Sequence, residues 1–283
     1  MITTNALTQE LEARGYTVHL QDVVKNGVKL TGLTLRSTAH DRIAPCIYID
    51  RMLTEFSSPK SAADTIEQTV ASAKSISIDP DGIITRENIL ANAHIAVQRE
   101  SEQELIKRSS PIDGIEEYVF IQGNTTSAGM WSVKLLPSHL SMVDVTEDEV
   151  WKAAEQNTFT DDEISINSMQ SILAEMMGMQ DDLPEVDMPM YVITNRRKTN
   201  GAVQIFNKEA IKKWADERGF KRLIMLPSSL HEVIVIPADE KNMNLEELSK
   251  MVNEVNDTQV DPTEQLGDRA YIIDISASDE DAA

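Results

Sequence analysis

Cysteine is almost missing from this sequence: Cys46 is the only one in 283 residues. No disulfide can form within the chain and no cysteine cluster can hold zinc, so a reducing compartment is expected. Aromatic residues are scarce at 5%. A core must therefore rest on Ile, Leu, Val, Ala and Met, which give few large anchors. No apolar run reaches the length of about 18 residues that a membrane span needs. The N-terminal MITTNALTQELEARGY has neither a basic leader nor an apolar signal core, so the chain reads as cytoplasmic, with no membrane partner. It also lacks a Walker phosphate loop, a dinucleotide glycine fingerprint, an HExxH helix and a nucleophile elbow. No cofactor is expected, and the commonest motif-based enzyme assignments find no support.

Basic side chains are few as well. There are 26 Lys and Arg against 47 Asp and Glu, a formal net charge of −21. A field of that sign repels phosphate backbones, so direct nucleic-acid binding is not expected. It suits a basic or nucleic-acid-binding protein as partner, for which the chain could imitate a polyanion; it also serves plain solubility. The charge is uneven. From Ala153 to Asn195 there is no basic residue, while Glu155, Asp161, Asp162, Glu163, Glu175, Asp181, Asp182, Glu185 and Asp187 fall there. Arg196, Arg197 and Lys198 follow at once as the one compact basic cluster.

What is present is the alternation of an α+β protein, with mixed, mostly antiparallel sheets and packed amphipathic helices in two lobes. Leu7 and Leu11 lie one helical turn apart before Gly15. YTVHLQDVV and VKLTGLTLR flank Asn26-Gly27, a dipeptide that accepts the positive φ of a hairpin turn, and CIYID adds a third strand. Ala62, Ile66, Val70 and Ala73 recur at helical spacing behind Ser58 and Pro59, a cap and a first-turn proline. A shorter helix is expected around 86 to 92, then a strand HIAVQ, a polar helix to about Arg108, and strands EEYVFIQ and MWSVKLL around a polar loop. Thr146 and Glu149 have the spacing of a capping box for a helix to about Asn157. MYVIT and AVQIF read as hairpin strands around the basic turn, and LIMLP and HEVIVIP as a second hairpin. Asn207 caps a helix, Leu245, Leu248, Val252 and Val255 define another, and AYIID is the last strand. These elements divide into an N-terminal lobe, 1–158, an acidic linker or helix, 159–188, a C-terminal lobe, 189–275, and a disordered acidic tail, 276–283.

Four groups of residues carry chemistry worth weighing. Ser229, His231 and Glu232 gather a hydroxyl, an imidazole and a carboxylate in one turn; they read either as a nucleophilic site or as a turn whose polar groups satisfy backbone. Cys46 reads as a small buried hydrophobe, or as a nucleophile with His231, His94 or His139 as base. Asp79 and Asp81 sit in a loop, Ser77 to Asn88, with partial calcium-loop spacing but no glutamate at its twelfth position, so a simple turn is expected and no metal. Arg196, Arg197 and Lys198 could meet an anion or an acidic partner. Ile166, Met169, Leu173 and Met176 would make an apolar stripe on one helix, serving either core packing or docking.

The run LIMLPSSLHEVIVIP, with MPMYVITNRRKTNGAVQIF before it and WKAAEQNT at 151 to 158, resembles the family known as domain of unknown function 5688. The resemblance implies an uncharacterised bacterial intracellular protein, often carried by mobile elements or phage, and no established reaction. Two functional expectations follow. One is a non-enzymatic accessory protein that binds another protein; the other is a hydrolase or transferase at the PSSLHEV turn.

Overall fold

The structure is a computed structural model and describes residues 1–36, 44–74, 79–123, 131–178, 189–238 and 244–275. The fold is α+β. In chain order its regular elements are α1 (Thr4–Ala13), β1 (Thr17–Lys25), β2 (Val28–Arg36), β3 (Cys46–Tyr48), α2 (Asp50–Glu55), α3 (Pro59–Lys74), α4 (Pro80–Ile83), α5 (Arg86–Asn92), β4 (Ala93–Arg99), β5 (Lys107–Ser109) and β6 (Ile115–Gln122). There follow β7 (Ser132–Lys134), α6 (Pro137–Val143), α7 (Glu147–Gln156), β8 (Ile164–Ser168), α8 (Met169–Met177), β9 (Tyr191–Asn195), α9 (Lys208–Asp216), β10 (Arg222–Leu226), β11 (Val233–Pro237), α10 (Leu245–Gln259) and β12 (Tyr271–Asp274). Every strand pair whose register is described is antiparallel. The chain forms two compact units, Met1–Ile89 with Gln122–Val133, and Leu90–Ile121 with Lys134–Ala283.

The first unit is built on the Asn26-Gly27 hairpin. Both residues have positive φ, 50° and 79°, which sets the mirror-image turn that matches strand twist. β1 and β2 then pair over nine residues, and β3 joins β2. Leu33, Leu35 and Ile47 of this sheet pack with Leu7 and Leu11 of α1 and Ala62, Ala63, Ile66 and Val70 of α3, as the helical spacing of those apolar residues predicts. Arg14 ties the two helices together through Asp64 and Glu67, at 2.8 and 2.6 Å.

The second unit holds a five-stranded sheet in the order β12-β10-β11-β9-β8 and a second sheet in which β6 is flanked by β4 and β5. Leu248 and Val252 of α10 cover Ile224, Leu226 and Ile236. The α7 capping box forms as its spacing predicts: Thr146 Oγ1 accepts from Glu149 N, and the Glu149 carboxylate accepts from Thr146 N at 3.0 Å. β6 is buried along nearly all its length, yet it carries Glu116 and Glu117 side by side. Successive residues of a strand face opposite ways. Glu116 therefore meets Gln98, Ser101 and Lys107, while Glu117 meets Arg108, whose guanidinium lies 4.2 Å over Trp151 of α7 and also reaches Glu155. Burial works to raise the Glu116 carboxyl, but bonds from Gln98, Lys107 and Ser101 outweigh it and bring it below the ordinary value. For Glu117, burial prevails over Arg108 and raises it.

Several elements differ from expectation. AVQIF is no strand: Gly201–Phe206 is a 3-10 helix with Gly201 to Ile205 all buried. Both edges of β9 are already occupied, by β8 and β11, so no edge is left for a hairpin partner. The polar helix before Arg108 is absent. In its place Lys107 and Arg108 lie on β5, where their charges find Glu116 and Glu117 across the ladder. Within 159 to 178, expected as an acidic linker or helix, the chain completes one turn of π-helix at Asn157–Asp161, adds β8 to the five-stranded sheet and continues into α8. Ile166 is thus on a strand, and only from Met169 does the stripe lie on a helix, with Ser168 as its cap. The loop 124–129, the acidic residues 181–187, Ser77 and the tail 276–283 lie outside the described residues.

Candidate functional site

In the PSSLHEV turn, backbone amides occupy His231 Nδ1 and the Ser229 hydroxyl oxygen. His231 Nδ1 accepts the Asn200 N–H at 3.1 Å. Its Nε2 faces Glu264 Oε1 at 3.5 Å. A nitrogen that accepts from an amide cannot at the same time take a proton from a nucleophile. Ser229 Oγ accepts from His231 N at 3.0 Å, and Ser229 N donates to the Glu232 carbonyl at 3.1 Å. Leu230, between them, donates to the Glu264 carbonyl and accepts from Ala202 N.

This turn locks onto the one that follows β9. Asn195 Nδ2 donates to Thr199 O and its Oδ1 accepts from Thr199 N, closing the basic loop into a small ring. Lys198 and Asn200 take positive φ, 54° and 52°. Gly201 then passes so close to its neighbours that a Cβ there would sit 2.3 Å from Thr194 Oγ1, 2.6 Å from Asn195 N and 2.7 Å from His231 O. Only glycine fits.

Beneath the loop lies a buried polar network that sequence reading missed. Asp162, 8% exposed, accepts from Asn195 Nδ2 at 2.9 Å and pairs with Arg197. Burial raises the Asp162 carboxyl, opposed by Arg197 and Asn195. Gln204, fully buried, donates to the carbonyls of Thr158 and Asp162, and Asn207 to that of Phe159. The π-helical turn thus has its free carbonyls met by side chains of the 3-10 helix and its cap. The pairing of β8 with β9 places Asp162 beside Arg197; nothing in local spacing announces it.

The remaining candidates are dispersed. Cys46 is exposed rather than buried, with its Sγ over Gly32, where a Cβ would come within 2.5 Å of it. It belongs to the first unit, whereas His94, His139 and His231 belong to the second. Asp79 caps α4, taking the Asp81 N–H at 3.1 Å. Among the described residues no group of three or more His, Cys, Asp or Glu could hold a metal ion. Arg197 is committed to Asp162, Arg196 lies 3.7 Å from Glu163 with most of its side chain in solvent, and Lys198 is exposed. Met169 is half-buried, whereas Leu173, Met176 and Met177 of α8 are 46%, 79% and 65% exposed.

An α+β chain with antiparallel sheets, a basic loop folded onto buried carboxyl and amide groups, and an exposed apolar helix is the class that these features define. The chain belongs to a family of unknown function, DUF5688, whose model matches residues 2–274. The match spans both units. Neither a curated protein nor a solved structure matches the chain. Among the described residues no helix is long and apolar enough to cross a membrane.

Proposed function

We propose that this protein is a non-enzymatic accessory protein that acts by binding another protein, and that α8 is the surface that meets it. The observation that carries the reading is the exposure of Leu173, Met176 and Met177 on one short helix. Met176 and Met177 lie three and four residues beyond Leu173, so each neighbours it on the helix surface. Single exposed apolar residues are ordinary; three together are not. Methionine side chains repack readily against varied surfaces. With Glu175 among them and a net charge of −21 on the chain, the complementary partner is an apolar groove rimmed by Lys and Arg. In its narrower form the reading makes the partner a nucleic-acid-binding protein of the cytoplasm, whose basic groove accepts an acidic surface in place of phosphates, and makes the gene one carried by a mobile element or phage.

A hydrolase or transferase centred on His231 has less support, because Nδ1 is held by the Asn200 amide and Nε2 faces Glu264. The two readings separate on one experiment. Affinity capture from a bacterial lysate at low salt, with the wild type and with Leu173→Asp/Met176→Asp, is expected to recover a basic protein with the former only, and less of it at raised salt. Equal recovery with both proteins would remove α8 from the account. A hydrolytic activity lost in His231→Ala would favour the enzyme.

A further inference from the structure

We propose that Gln98 and Lys134 are the two halves of an intramolecular isopeptide cross-link, which the chain forms by itself with loss of ammonia. Gln98 on β4, Glu116 on β6 and Lys134, the last residue of β7, all belong to the second unit. Gln98 stands directly opposite Glu116 in the ladder, so the two side chains leave the same face. Ala96, Tyr118 and Phe120 make an apolar floor there, with Leu105 against them. Gln98 is 1% exposed and Glu116 5%. The partners fix which end of the Gln98 amide is which. Its Nε2 donates to Glu116 Oε1 at 2.7 Å and to Ser101 Oγ at 3.1 Å, while its Oε1 accepts from Lys134 Nζ at 2.7 Å. A carboxylate only accepts and an ammonium only donates, so the amide cannot be turned over.

Lys134 Nζ also lies 4.5 Å over the Tyr118 ring and donates to Gln103 Oε1 at 3.3 Å. The Gln98 carbonyl carbon, one C=O bond beyond the oxygen, is no more than about 3.9 Å from it. An amine held beside an amide carbon, with a carboxylate on the leaving nitrogen, is arranged for acyl transfer. Lys134 is half-buried and sheds its extra proton to solvent, and the free amine attacks Gln98 Cδ. The Nζ–Cδ bond forms while the carbonyl electron pair moves onto Oε1. Lys107, 3.0 Å from Glu116 Oε2, hands a proton through that carboxyl to Gln98 Nε2. The Cδ–Nε2 bond then breaks and its electron pair leaves with nitrogen as ammonia. The carbonyl reforms, Nζ gives up a second proton, and Lys107 recovers its own from solvent. No oxidant, reductant or cofactor enters. The product ties residues 36 apart, a covalent closure that a single cysteine denies this chain. The inference does not depend on the reading of α8.

The intact mass of the full chain, measured after prolonged incubation in the folded state, tests it. The wild type is expected to be lighter than its sequence by one ammonia. Trypsin is expected to release one branched product, residues 87–99 joined to 109–152, because a linked Lys134 no longer directs cleavage. Lys134→Arg keeps a cation over Tyr118 but no nucleophilic amine, and Glu116→Gln removes the proton relay. Each is expected at its full sequence mass. Should either variant fail to fold, as circular dichroism would report, the branched peptide of the wild type decides alone. A wild type at full sequence mass would overturn the proposal. So would an ammonia lost with both peptides still linear, as succinimide formation at Asn26-Gly27 or Asn200-Gly201 would give, or one lost equally from folded Lys134→Arg.

Discussion

His231 and Arg197 each hold one end of the loop after β9, and their replacements distinguish a structural knot from a reactive site. His231→Ala strips the Asn200 amide of its acceptor and is expected to cost about 1 to 2 kcal/mol in urea unfolding. Arg197→Ala is expected to cost more, about 3 kcal/mol, because the buried Asp162 carboxylate loses its countercharge. Gly201→Ala should not yield soluble folded protein, since its Cβ would collide with two backbone atoms and a hydroxyl. Burial raises the Asp162 carboxyl, so the folded state holds that proton more tightly than the unfolded chain. Its contribution to stability therefore falls as pH rises from the ordinary carboxyl value through the raised one. Asp162→Asn removes that slope, as chemical denaturation over a pH series would show. At this scale the sequence was half legible. Ser229, His231 and Glu232 stand together and invite attention, but Glu264 and Asp162 lie far along the chain and only strand pairing and loop closure bring them in.

Among the elements, those with a strong local signal formed where the pattern placed them. Asn26-Gly27, the Thr146 and Glu149 box, and the Leu248 and Val252 spacing act through neighbours on the same segment. Thr146→Ala is accordingly expected to cost about 1 kcal/mol, read by thermal unfolding, by exposing a first-turn amide of α7. Elements decided by tertiary pairing were not legible. AVQIF has a strand's composition, yet β9 had no free edge to offer it. Lys107 and Arg108 read as the end of a polar helix; their partners are Glu116 and Glu117, on a strand buried along nearly all its length. β8 was hidden in an acidic stretch whose composition resembled a connector.

For the whole molecule the excess of acid is the property most easily read from sequence and the one least tied to any single residue. On the proposed reading, partner binding weakens as salt rises, and an apolar contact at Leu173, Met176 and Met177 would supply the part that salt does not screen. Met142 on α6, 73% exposed, provides the comparison, because it is solitary where α8 presents three residues together. A photo-reactive side chain placed at Met176, and separately at Met142, tests the central claim in cells. One abundant crosslinked basic protein is expected from position 176, lost when Leu173→Asp is added, and none from position 142. No crosslinked protein from position 176, or the same product from both positions, would contradict it.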